Sequence, residues 1–119
     1  VEEVRVAALS MPKTIEDRPF GEEIVVYRIF DKKGPIFSMI SEEKSILNVR
    51  VSSDFFEISD TIDGITPLRI WKNWISVDLK TVRRKQEVKD LVYESWYEVA
   101  ENLPRGKRKL LNLVHSNLI

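Results

Sequence analysis

Between residues 84 and 103, Val88, Leu91, Val92, Ser95, Trp96, Val99 and Leu103 recur at i, i+3, i+4 and i+7 before Pro104 closes the pattern. That is the spacing of one face of an α-helix. A helix of this length is apolar on one stripe only, so it must lie on a broad apolar partner surface. The chain has no cysteine, so neither disulfides nor cysteine-bound zinc can substitute for that burial. The chain is 119 residues long and 43% hydrophobic, enough for a single domain to build such a core.

The partner surface is legible in short runs of β-branched and aromatic residues. Residues 24–30, 35–40 and 45–51 read as three strands. The intervening turns, Asp31-Lys32-Lys33-Gly34 and Ser41-Glu42-Glu43-Lys44, make them an antiparallel meander. A fourth strand follows at residues 74–79. Val4, Ala7, Ala8 and Met11 predict a short helix over residues 2–10, stopped by Pro12. Ser52, Ser53 and Asp54 are N-cap residues for another over 54–61, burying Phe55, Ile58 and Ile62. Residues 13–23 read as a polar connection, and Asp63-Gly64 with Pro67 as a loop. The fold class is α+β: an antiparallel sheet with helices packed on one face, in the order α, three-strand meander, α, strand, long α.

We expect the main domain to cover residues 1–109. Residues 110–119 form an apolar tail or short helix, through Leu110, Leu111, Val114 and Leu118, able to dock on a protein partner or a further domain. The chain opens on Val1 rather than Met, which fits a piece of a longer protein. No apolar run approaches the roughly 20 residues of a membrane helix, and no signal-peptide pattern opens the chain. The expectation is a cytoplasmic protein with no membrane association.

Charge is balanced overall but not along the chain. Residues 1–60 carry 8 basic and 12 acidic groups, whereas residues 61–119 carry 11 and 7. Within 69–89, Arg69, Lys72, Lys80, Arg83, Arg84, Lys85 and Lys89 face only Asp78 and Glu87, a local excess of +5. Such separation creates a local attractive field on a neutral protein.

Groups for chemistry are scarce. His115 is the only histidine, which excludes a two-histidine metal site or a histidine-centred triad with a nearby nucleophile within one chain. Four glycines form neither a dinucleotide fingerprint nor a phosphate loop. We expect no catalytic residues, no metal and no cofactor: a binding module, not an enzyme.

Strand alternation assigns the two sheet faces. Leu47, Val49 and Val51 oppose Ile46, Asn48 and Arg50; Ile75, Val77 and Leu79 oppose Trp74, Ser76 and Asp78. With helices on the apolar face, the free face carries Arg28, Ser38, Asn48, Arg50, Trp74 and Ser76. Trp96 belongs to the helical stripe. Trp71 and Trp74 flank Lys72 and Asn73. Aromatics interleaved with cations stack on bases and neutralise phosphates; equally, they can anchor the loop that contains them.

Several segments resemble the MmcQ/YjbR family. Ala8-Leu9-Ser10-Met11-Pro12 with Glu16-Asp17-Arg18-Pro19-Phe20-Gly21 is similar to its opening. Ile36-Phe37, Leu47-Asn48-Val49-Arg50, Trp71-Lys72-Asn73-Trp74-Ile75-Ser76-Val77 and Glu94-Ser95-Trp96-Tyr97-Glu98-Val99-Ala100 resemble later motifs in the expected order. The family's second-strand lysine falls near Pro35 here, and its third-strand lysine is Arg50. The resemblance implies a CyaY-like α+β fold, described as a double wing and proposed to bind DNA. The residues expected to contact nucleic acid are Arg28, Asn48, Arg50, Lys72, Trp74, Ser76, Arg83, Arg84 and Lys85. Two alternatives stand beside DNA: a protein-interaction domain, and a binder of a small anionic ligand on the open sheet face.

Overall fold

A computed structural model describes the backbone of residues 1–116 and the side chains of residues 1–111. Its centre is one antiparallel sheet of six strands in the order β1-β2-β3-β4-β6-β5. The strands are β1 (Thr14–Asp17), β2 (Ile24–Ile29), β3 (Ile36–Ser41), β4 (Ile46–Arg50), β5 (Ile65–Leu68) and β6 (Trp74–Asp78). The helices are α1 (Glu2–Ser10), α2 (Ser53–Ile58), α3 (Lys85–Glu101) and α4 (Arg105–Ser116), with a single 3-10 turn at Ser59–Thr61 after α2.

The long helix predicted over 84–103 is α3. Val88, Val92, Trp96 and Val99 enter one core with Val4, Ala7 and Ala8 of α1 and with Tyr27, Phe37, Leu47, Val49, Ile75 and Val77 of the sheet. Phe37 and Leu47 are fully buried, a contribution on the order of 1.5–3 kcal/mol each. The helices α1 and α3 thus cover one face, as expected. The Trp96 indole Nε1 donates to the Pro12 carbonyl at 3.1 Å, tying α3 to the connection that follows α1. Ser52 caps α2 by accepting from the Phe55 backbone N–H at 3.2 Å. Phe55 and Ile62 pack against the core, whereas Ile58 is exposed.

Two strands were not expected. The polar connection contains β1, which pairs with β2 from Thr14↔Ile29 to Asp17↔Val26. The loop around Pro67 contains β5, which pairs with β6 from Ile65↔Val77 to Leu68↔Trp74. Both are edge strands, four residues long. An edge position tolerates proline and polar residues, because half of its backbone groups face away from the sheet.

A second correction concerns Ser38. The β2–β3 register runs Tyr27↔Ser38 and then Arg28↔Ile36, so Phe37 is an extra residue on β3. This bulge reverses the alternation and turns Ser38 inward, opposite Val49 and fully buried. Ser38 is not part of the free face.

The final helix runs from Arg105 to Ser116 and buries Leu111 in the core. Leu118, expected in that helix, lies outside the described residues. Among the described residues, no helix is long and apolar enough to cross a membrane.

Candidate functional site

Register fixes the uncovered face. Asn48 pairs with Ser76 and Arg50 with Trp74, directly across β4 and β6, and Arg28 pairs with Ile36 across β2 and β3. Cross-strand partners share a face, so Arg28, Asn48, Arg50, Trp74 and Ser76 stand together opposite the helices. They are not alone there. Val26 is paired with Met39, Met39 with Asn48, and Leu68 with Trp74, making this face more apolar than alternation suggested.

Phe20, from the β1–β2 connection, and Trp71, from the β5–β6 connection, wall a groove on this face. One compartment of about 330 Å³ is lined by both aromatics with Arg28, Pro35, Met39 and Trp74. A second of about 460 Å³ is lined by both aromatics with Ile24, Asn48, Leu68 and Ser76. Phe20 is 61% and Trp71 47% exposed. Trp71 and Trp74 meet edge to face with centroids 5.8 Å apart. Asn73 supports that pair: it adopts φ 63°, and its carbonyl accepts from the Val51 N–H at 2.8 Å. Asparagine tolerates this left-handed conformation better than most residues.

The polar groups differ in how they are engaged. Arg28 lies 3.5 Å from the Asp17 carboxylate through Nε and donates from Nη1 to the Gly34 carbonyl at 3.0 Å. Its charge is therefore compensated locally. The Arg50 Nε and the Asn48 Oδ1 are buried and have no hydrogen-bond partner. The Arg50 backbone is fixed from the other side of the sheet, its N–H donating to the Ser95 hydroxyl at 2.8 Å. A buried donor and acceptor left unpaired are costly for folding, and such groups become useful when a ligand supplies the missing partner.

The basic segment divides. Lys72 is exposed in the turn beside Trp71. Arg83, Arg84 and Lys85 belong instead to the entry of α3, in the helix layer. Arg83 Nε donates to the Lys80 carbonyl at 2.6 Å, Arg84 approaches Glu87 at 3.5 Å, and Lys85 approaches Glu3 of α1 at 3.4 Å. Asp78 shares the uncovered face opposite Ile46 and caps the turn leading to them, accepting from the Lys80 N–H at 2.9 Å. The nine expected residues do not form one stripe: five share the groove face, Lys72 sits at its rim and three lie elsewhere. Phe20 was missed as a groove wall, whereas Trp71 was singled out as a stacking aromatic or loop anchor but not counted among the contact residues. An exposed phenylalanine in the polar connection 13–23 was the available signal.

Comparison with known proteins agrees with this architecture. The model of the YjbR family matches residues 9–98. A crystal structure of a Deinococcus radiodurans protein assigned to the domain DUF419 superposes with a TM-score of 0.79, at 18% identity, over 93% of this chain and 86% of that one. A Pseudomonas syringae protein superposes with a TM-score of 0.57, at 19% identity, over 72% and 86%. None of the curated proteins matches the chain in sequence.

Proposed function

The chain belongs to the YjbR family, and within it we propose that this protein is a nucleic-acid-binding module that receives unpaired bases in the groove of the uncovered sheet face. The observation that carries the reading is a groove walled by Phe20 and Trp71 and lined by Asn48, Ser76 and Trp74, with the Asn48 Oδ1 unpartnered there and the Arg50 Nε unpartnered on the same sheet face, across from Trp74. An indole offers any base a stacking surface worth about 1–3 kcal/mol. The Arg50 guanidinium supplies a charge and hydrogen-bond donors, and Lys72 at the rim supplies a cation for the backbone. The groove is walled by aromatics, and Arg83, Arg84 and Lys85 lie exposed at the entry of α3, away from it. That geometry favours a single strand over a duplex laid along a basic stripe. The role is binding, with no catalytic residue assigned.

The test is anisotropy titration of labelled single-stranded and duplex oligonucleotides at several salt concentrations. We expect the single strand to bind more tightly, with a log–log salt slope of about −0.7 per phosphate contacted. Trp71→Ala should weaken binding by roughly 5- to 150-fold, the loss of one stacked base. No binding of either nucleic acid at low salt sinks the proposal.

A small anionic ligand is the second reading, favoured by compartments of about 330 and 460 Å³, the size range of small-molecule pockets. Mononucleotides that raise the melting temperature while oligonucleotides do not would favour it.

A further inference from the structure

On the helix side of the molecule lies a second groove, distinct from the one above. It has a volume of about 600 Å³ and runs between α2, the start of β5 and the N-terminal half of α3, with Phe55, Ile65 and Leu91 in its apolar lining. Four carboxylates also line it: Asp63 from the loop before β5, and Glu87, Asp90 and Glu94 from α3. All four are exposed. The α3 acids stand at i, i+3 and i+7, one helical face. Two have weak local partners: Arg84 lies 3.5 Å from Glu87, and Gln86 donates to Asp90 at 2.8 Å. An apolar channel with an acidic rim suits a segment that is basic and carries an apolar side chain.

The chain contains such a segment. In α4, Leu111 is buried against the molecule's own core while the adjacent Leu110 is 56% exposed. Helical geometry places Arg105, Lys109 and Leu110 on the side away from Leu111, and both cations are exposed. This helix cannot occupy its own groove. It follows the C-terminal end of α3, a 17-residue helix about 25 Å long, whereas the groove lies at the other end.

We propose that the acidic groove binds the α4 helix of a second copy of this chain, Leu110 entering between Leu91 and Phe55 while Arg105 and Lys109 face Asp90, Glu94 and Asp63. Each copy carries both surfaces, so two copies related by a two-fold axis close a dimer by exchanging the same contact twice.

The test is sedimentation equilibrium of the full chain from micromolar to millimolar concentration, at low and high salt. We expect a reversible dimer, weakened by salt. A charge-reversed groove, Asp90→Lys with Glu94→Lys, and a charge-reversed helix, Arg105→Glu with Lys109→Glu, should each weaken it by about an order of magnitude. Mixing these two variants should restore association, because each reversed surface then meets its complement. Circular dichroism melts confirm that both variants fold; if either does not, Leu110→Ser replaces it and should weaken the dimer alike. A monomer at every concentration overturns the proposal. So does a dimer indifferent to the reversals, or a monomer that captures a basic amphipathic peptide unrelated to α4. Because this groove shares no lining residue with the aromatic one, oligonucleotide binding is expected to survive all of these substitutions.

Discussion

The side-chain hydroxyl of Ser95 accepts a hydrogen bond from the backbone N–H of Arg50 at 2.8 Å. The same hydroxyl donates to the Phe37 carbonyl, so one fully buried side chain on α3 joins β4 to β3 at Phe37, the residue that bulges from the β2–β3 ladder. Removing it leaves two buried backbone groups without partners. We expect Ser95→Ala to lower stability by about 1–3 kcal/mol, read from urea denaturation. Because Arg50 is positioned through its backbone, the substitution should also weaken groove binding at temperatures where the protein remains folded.

Arg50 itself separates stability from function. Its Nε is buried and unpartnered, so an apolar side chain of similar length removes an unmet polar group. Arg50→Met is expected to leave the urea midpoint unchanged or raise it slightly, while reducing oligonucleotide affinity at least tenfold, about 1.4 kcal/mol. A substantial loss of stability would show that Arg50 is structural.

Gly34 is irreplaceable on steric grounds. A Cβ there would stand 1.8 Å from the Ile29 carbonyl oxygen, an impossible approach. The Gly34 carbonyl also accepts from Arg28. We expect Gly34→Ala to open the β2–β3 turn and cost several kcal/mol, within the range of a large single-residue effect of about 4–5 kcal/mol. Its thermal midpoint measures this.

Asn73 holds the Trp71–Trp74 pair at φ 63°. Asn73→Val should cost about 1–2 kcal/mol for the left-handed backbone, whereas Asn73→Gly should be nearly neutral. Intrinsic fluorescence, dominated by changes at Trp71 and Trp74, should shift for the valine variant.

Tyr27 is buried and donates to Glu16 at 3.0 Å. Burial, followed by the Glu16 carboxylate, pushes its phenol pKa up. The folded state holds this proton more tightly than the unfolded chain does. The associated stability is present below the unfolded value of about 10 and is lost as pH rises from there toward the higher folded value. Denaturation between pH 9 and about 11 should show a decline that Tyr27→Phe reduces.

Periodicity carried most of the fold. The stripe from Val88 to Leu103 became α3, and four of the six strands follow from β-branched runs. What escaped it was decided by position in the sheet. Thr14–Asp17 and Ile65–Leu68 are edge strands whose polar residues and Pro67 look like loop until a neighbour is present to pair them. Ser38 was assigned to the wrong face because one extra residue inverts a period-two argument. The uncovered face was legible where strands impose direction, as at Asn48, Arg50, Trp74 and Ser76. It was not legible where residues were grouped by proximity along the chain: Arg83, Arg84 and Lys85 follow Trp74 closely in sequence, yet belong to the entry of α3.

The bond from Trp96 to the Pro12 carbonyl joins residues 84 positions apart. Domains fold largely as units while they emerge from the ribosome, and here α1, made first, must wait for α3 before it can be locked in place. Every strand of the sheet is synthesised in that interval with its apolar face incompletely covered. A nascent or truncated chain ending before Trp96 should therefore be the form of this protein that chaperones retain and proteases remove.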